Sequence, residues 1–293
     1  LLLVAVLSPV GAVRQGAQRW IPLGILDLQP AEFAKPAVIL GLAVLLAPAQ
    51  ENMMRWMRIL RAIALVAVPS VLIFLQPDLG TMIVFGFVLV VMLFVAGTTV
   101  RQLAVIAAGS LVLLVAAFQL NVLQEYQLER ITGFLNSGEQ TLTVNYNQNQ
   151  SQVAIGSGGI FGLGLGEGSQ TNLSFVPAQT TDFIFTAVGE QLGFFGAILV
   201  LGLFFLVVWR LLVIAANARD RWGALVATGV AAMIGFHVFV NVGMAIGLMP
   251  VTGLPLPFLS FGGSFYGSVM LSLGVCQSIW FRRSRVPGER QIV

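Results

Sequence analysis

The chain has 293 residues, of which 57% are hydrophobic and only 9% charged, with a net charge of +3. Its mean hydropathy is +0.92. A water-soluble domain carries about a quarter charged residues, so this composition excludes a soluble globule and makes lipid the solvent. The apolar runs are long and continuous. They lack the alternating strands of about ten residues that build a membrane barrel, which leaves a polytopic helical membrane protein.

In chain order, "LLLVAVLSPVGAV" begins within an apolar run and lacks a basic n-region, so it does not read as a signal peptide. It reads as the tail of a helix, with one or more spans expected upstream. Seven full spans follow, at roughly 32–49, 60–76, 79–97, 102–121, 184–209, 222–248 and 262–281. Each is close to the ~20 residues a bilayer requires. "QPDLG" is a tight turn between the second and third, with Pro77 and Gly80 as breakers.

The arginines orient the bundle. Arg55, Arg58, Arg61, Arg101, Arg210, Arg219, Arg221, Arg282, Arg283, Arg285 and Arg290 fall on one side if the spans alternate. That side is expected to be cytoplasmic, with 282–293 as a cytoplasmic tail. The opposite face holds "QPDLG", the turn 249–261 and the segment 122–183. That segment is expected to be a large extracytoplasmic loop within a single transmembrane domain, 1–293. Its part "YNQNQSQVAIGSGGIFGLGLGEGSQTN" reads as a flexible, backbone-rich surface. No strand precedes "GSGGIFGLG" and no Lys-Ser/Thr follows it, so it is not a nucleotide loop. The single cysteine, Cys276, excludes an internal disulfide framework. It reads as a small buried or lipid-facing residue, and nothing suggests a structural zinc site.

Polar residues in apolar runs are functional candidates. Glu32 and Lys35 are three apart on one helix face and can pair, with Pro30 suited to the first turn. That pair could simply make insertion tolerable. Alternatively Lys35 and Arg19 supply positive charge to an outer cavity, with Trp20 an interface anchor. Asp78 reads first as a helix-start acid. Asp182 lies at the outer end of its span. Glu190 is eight residues further on, roughly 12 Å deeper, where it needs a cation or a polar cavity. His237 and Asn241 share a face at i, i+4, with His237 a packing residue. "MPVTGLPLPFLSFGGSFYG" cannot be a plain helix, and broken backbone at membrane depth needs protein or a water-filled cavity around it. These features converge on one membrane face as an open cavity. Binding, transport and catalysis all fit it.

"QRWIPLGILDLQPAEFAK", "QPDLGT", "QSQVAIGSGGIFGLG", "FVPAQTTDFIFTAVGEQLGFFG" and "GLMPVTGLPLPFLSFGGS" occur in the order and spacing of the SEDS family (shape, elongation, division and sporulation proteins), and the sequence resembles that family over nearly its whole length. "PVTGLPLPF" looks like the RodA branch rather than the FtsW branch. The resemblance implies a ten-span bundle with the first spans upstream of Leu1. It implies a peptidoglycan glycosyltransferase that polymerises lipid II and releases undecaprenyl diphosphate in the bacterial cytoplasmic membrane, with its active site facing outward. A class B penicillin-binding protein is the implied partner, with no nucleic acid and no organic cofactor. Asp182 matches the family's catalytic aspartate, as general base or as holder of Mg²⁺ or Mn²⁺. Arg19, Glu32, Lys35, Thr181, Glu190 and Ser260 are the implied substrate-binding residues. The sequence departs from the family pattern at Ala178, Thr180, Gln191, Leu163, Phe261 and Phe265. Two rival readings of the same cavity are a lipid II flippase, which would favour inverted repeats with paired broken helices, and a non-catalytic scaffold. Only the 249–261 region reads as broken.

Overall fold

A computed structural model describes residues 2–9, 11–14, 17–22, 24, 27–48, 56–120, 128, 143–173 and 175–283. Arg55, Arg130, Arg285 and Arg290, and all but the first two residues of the 282–293 tail, lie outside the described residues.

The described chain is a helical bundle with one small sheet. Its helices are α1 (Leu2–Val6), α2 (Pro30–Leu46), α3 (Trp56–Phe74), α4 (Leu79–Val95), α5 (Val100–Gln119), α6 (Thr143–Ser157), α7 (Ser169–Asn172), α8 (Ile184–Ala216), α9 (Arg221–Ala245) and α10 (Gly263–Arg282). All seven expected spans fall on helices. Four of these, α3, α5, α8 and α9, are long and apolar enough by themselves to cross a membrane, and α4 is apolar but shorter. The strands β1 (Ala12–Arg14), β2 (Ala17–Pro22) and β3 (Asp27–Leu28) form an antiparallel meander before α2.

The turns follow local chemistry. Asp78 caps α4, accepting a hydrogen bond from Thr81 N at 3.2 Å, as its helix-start position predicts. Pro30 opens α2 at a position where its missing N–H costs nothing. Thr99 and Gln102 form a capping box on α5, and Asp220 caps α9. The most enclosed helix is α9, which packs against α2, α4, α8 and α10. Its side chains Val226, Val230, Met233 and Ile234 meet Ile39, Leu42, Val88 and Met92 in the main apolar core. A second core gathers Ala154, Val176, Phe185, Met244, Val251 and Leu256 near the opposite end of α9.

Two features differ from the sequence expectation. The segment read as a flexible surface contains α6, a helix of polar composition. Its sequence has little intrinsic preference for helix, and tertiary contacts hold it. Gln148 donates to Met244 O and Met249 O at 3.0 and 2.9 Å, and Ser151 donates to Ala245 O at 2.8 Å. These side chains satisfy carbonyls at the end of α9, which the helix itself cannot. The second difference is that α8 is broken at Gly193 (φ 66°, ψ −164°). The glycine-rich loop after α6 repairs the break with four backbone hydrogen bonds: Leu163 N to Glu190 O, Gly164 N to Gln191 O, Phe194 N to Gly159 O and Phe195 N to Ile160 O, at 3.0–3.2 Å. Backbone groups freed at membrane depth must be met by protein, and this loop meets them.

Glycine is required there by space as well as by dihedral angle. A Cβ on Gly158 would lie 2.0 Å from Gly189 O, and one on Gly162 (φ +82°) would lie 2.2 Å from Gln191 O. Gly162→Ala is therefore expected to destabilise the bundle by about 1–3 kcal/mol through overpacking, lowering the melting temperature of the detergent-solubilised protein. An unchanged melting temperature would show that the loop does not grip the break.

Candidate functional site

The non-helical segment 249–261 lies where the ends of α4, α8 and α9 meet. Gly80, in the first turn of α4, lets it approach: a Cβ there would lie 2.8 Å from Thr252 O. From α9, Asn241 Nδ2 donates to both Leu254 O and Asp182 O, each at 2.7 Å. His237, one turn earlier, places Nδ1 3.0 Å from Pro255 O. Ser260 Oγ accepts from Leu256 N at 2.8 Å and donates to Thr181 O at 2.5 Å, and Phe261 N donates to Thr180 O at 2.9 Å. Residues 180–182 and 249–261 are thus one hydrogen-bonded unit, fastened to α9. Thr181 and Ser260 act in it through main-chain contacts.

Asp182 precedes α8 and does not cap it; Phe183 occupies the cap position without a side-chain bond. Its carboxylate faces Gly253, whose hypothetical Cβ would sit 3.4 Å from Asp182 Oδ2. A Cβ at 253 would be in ordinary contact with the acid, and glycine is favoured there by the left-handed backbone at φ +73°. Ala178, also left-handed at φ +54°, offers its carbonyl to the N–H groups of Thr181, Asp182 and Phe183. Beside this unit runs an open groove of about 450 Å³, lined by Thr180, Ile184, Leu259, Phe261, Gly262 and Tyr266 among others.

Of the four acids singled out in the sequence at this end, only Asp182 is half-buried and the other three are buried. Glu190, Glu32 and Asp78 are 0%, 3% and 8% exposed. Glu190 differs most from its expectation. Its carboxylate meets hydrogen-bond donors: Gln170 N at 2.8 Å, Thr171 N at 2.9 Å and Thr171 Oγ1 at 2.5 Å. Charge-assisted bonds to backbone N–H groups compensate its burial, so Glu190 anchors α7 to α8. The expected Glu32–Lys35 pair is present, with Nζ and Oε2 2.7 Å apart. Lys35 Nζ also lies 3.2 Å from His237 Nε2 and 5.0 Å from the Phe265 ring centre. At 2% exposure, Lys35 belongs to the bundle interior and not to an open cavity. Arg19, on β2, donates from Nε to Gln76 O at 2.7 Å and from Nη2 to Pro77 O, so it holds the turn before α4.

Removing Lys35 would leave Glu32 buried without its cation. Lys35→Met is expected to cost about 3–5 kcal/mol of stability. Adding Glu32→Gln in the same chain should restore most of it, as read by thermal unfolding. A double variant no more stable than Lys35→Met would mean that the lysine serves something other than this pair.

Among the described residues no three of His, Cys, Asp and Glu cluster as a metal site. Asp182 supplies one carboxylate, which does not make a protein-only cage. It does fit Mg²⁺, which is commonly held by one or two carboxylates together with substrate phosphates.

The FtsW/RodA/SpoVE family, described as cell cycle protein, matches residues 1–285. The chain belongs to this family. It is the SEDS family that the sequence motifs resemble. This SEDS chain is 40% identical to stage V sporulation protein E of Bacillus subtilis (strain 168) over 95% of its length and 75% of that protein's. It is 38% identical to the peptidoglycan glycosyltransferase MrdB of Escherichia coli (strain K12), over 97% of its length and 76% of the relative's. Among solved structures, the rod shape determining protein RodA of Thermus thermophilus matches with a TM-score of 0.68 and 32% identity, over 97% of this chain and 76% of that one. A chain from a peptidoglycan synthase complex, described as coordinating polymerization and crosslinking, matches with a TM-score of 0.77 and 34% identity, over 97% of this chain and 79% of that one.

Proposed function

We propose that this membrane protein is a peptidoglycan glycosyltransferase that polymerises lipid II into glycan strands during cell elongation, in the bacterial cytoplasmic membrane with its active site facing outward. The observation that carries the reading is the combination of family membership with Asp182, the one acid among those singled out at this end of the bundle that is not fully buried. Asp182 takes the proton from the acceptor GlcNAc 4-hydroxyl as that oxygen attacks the donor's anomeric carbon, and undecaprenyl diphosphate leaves. A positioned base contributes about 10²–10⁴-fold.

The leaving diphosphate needs positive charge, for which the sequence offers Arg19, Lys35 and Arg130; Arg19 and Lys35 are committed to internal partners, and Arg130 lies outside the described residues. A divalent cation travelling with the substrate's diphosphate, with Asp182 as its protein ligand, would supply it; this is the alternative role of the same carboxylate. A class B penicillin-binding protein completes the assembly and crosslinks the strands.

The flippase reading would favour inverted repeats with paired broken helices, and, to carry lipid across, those breaks would have to move. The break at Gly193 is instead sealed by backbone hydrogen bonds to the loop after α6, which favours a fixed scaffold. The test is gel-resolved polymerisation of labelled lipid II by the full-length protein with its transpeptidase and Mg²⁺ or Mn²⁺. A ladder of glycan strands is the expected product. Flipping into vesicles without polymer would replace this reading with transport. Neither activity, with the transpeptidase bound, would leave a scaffold.

A further inference from the structure

The tip of the glycine-rich loop carries large apolar side chains that no other part of the described residues covers. Ile160, Phe161 and Leu165 are 59%, 82% and 78% exposed, and Phe194 and Phe195, just past the break in α8, are 60% and 59% exposed. The rings of Phe161 and Phe195 lie 5.6 Å apart, and those of Phe194 and Phe195 6.3 Å apart, so they form one patch. In water such a patch would be a liability. Its height in the bundle says what covers it.

Ser151 Oγ touches both Thr186 Oγ1 and Ala245 O, at 2.7 and 2.8 Å, which places Thr186 level with Ala245. Ala245 lies about 36 Å along α9 from Arg221. A hydrocarbon core is about 30 Å thick, so with Arg221 at one boundary Ala245 stands about 6 Å outside the other. Gly193 is seven residues from Thr186 back toward the Arg221 end, about 10 Å. The loop tip bound there by Phe194 N and Phe195 N therefore lies a few Å inside the hydrocarbon. The patch also continues into the lipid-facing band of α8, where Ile198, Leu199 and Leu203 are exposed.

We infer that residues 160–165 form a membrane-inserted wedge, seated with Phe194 and Phe195 in the acyl-chain region just beneath the head groups, at the end of the bundle that carries Asp182. Its partner is the phospholipid leaflet itself. Phe and Leu side chains suit burial a few Å into the headgroup/acyl boundary. The glycines that let the loop grip α8 also bring it close enough to share the helix's lipid surface. Ile184 stands about 13 Å above the tip, so the wedge sets residues 180–182 over the head-group layer, level with the sugar of a lipid-borne substrate. The inference rests on the membrane reading of the chain and not on the role of Asp182.

Depth-resolved fluorescence quenching tests it. Phe161→Cys and, separately, Leu165→Cys are labelled with an environment-sensitive fluorophore in a Cys276→Ala background, and the full chain is placed in lipid nanodiscs. Glu167→Cys, at an exposed acid on the same loop, is the reference for the watery side. Lipids brominated high on the acyl chain should quench the labels at 161 and 165 more than lipids brominated near the chain end. Iodide in the buffer should quench only the label at 167. Iodide quenching at 161 and 165 without bromolipid quenching would overturn the wedge and return the loop to water. Insensitivity to both quenchers would also overturn it, because a second copy or another protein would then be the occupant.

Discussion

Asp182→Asn is expected to reduce glycan polymerisation to a trace while leaving the melting temperature of the purified protein within a few degrees of the native value. The substitution keeps size and removes the charge and the basicity. The acid's main chain stays fixed, because its N–H donates to Ala178 O and its carbonyl accepts from Asn241. The loss should be about 10²–10⁴-fold in rate if the carboxylate is a general base. If it serves instead as a ligand for a diphosphate-bound cation, raising Mg²⁺ or Mn²⁺ should recover part of the activity of a Asp182→Glu variant but none of Asp182→Asn. Full polymer from Asp182→Asn would keep the enzyme and move the chemistry to another group.

The helices were legible because bilayer length and apolar runs are properties of the sequence alone. Local pairs were legible for the same reason: Glu32 with Lys35 and Asp78 with its own helix start need only three- or four-residue spacing. What the sequence hid is long-range. Glu190 reads only as a buried acid in want of a cation or a polar cavity, because its donors, Gln170 N and Thr171 N, are main-chain groups some twenty residues back. Main-chain N–H groups leave no mark in composition. Gly193 sits inside a strongly apolar run, so hydropathy carries straight across the break. The signal was the second set of glycines at 158, 159, 162 and 164, which a flexible surface and a close-packed loop share. Lys35 allows two readings from sequence, a partner for Glu32 and a cation for substrate. A lone lysine at a span's start suggests a cation for substrate, yet its neighbours on α9 and α10, His237 and Phe265, make it an interior residue. His237 and Asn241 were legible as a polar face. That this face holds the backbone of residues 182 and 254–255 was not, since every acceptor it reaches is a carbonyl.

That face gives the second large effect. Asn241→Leu is expected to lower turnover by up to about 100-fold, the scale of a misplacement near 1 Å, with little change in the substrate concentration for half-maximal rate. One buried amide holds Asp182 O and Leu254 O together, and its loss takes a donor from each carbonyl, the one at Leu254 being buried, at a cost of about 1–3 kcal/mol. Stability will therefore fall too, and the rate must be expressed per folded molecule. Asn241→Asp keeps the shape but turns an anionic group toward both carbonyls, so it should do no better than leucine. The decisive comparison is a double-mutant cycle. If Asn241 acts by positioning Asp182, Asn241→Leu costs much in the native chain and almost nothing further in Asp182→Asn, because groups acting as one unit are strongly non-additive. Residual polymerisation by Asp182→Asn can be followed over long incubations to read that second arm. A loss that only tracks the folded fraction would reduce Asn241 to a packing residue. A further full loss in the double variant would mean that α9 organises the substrate independently of the acid.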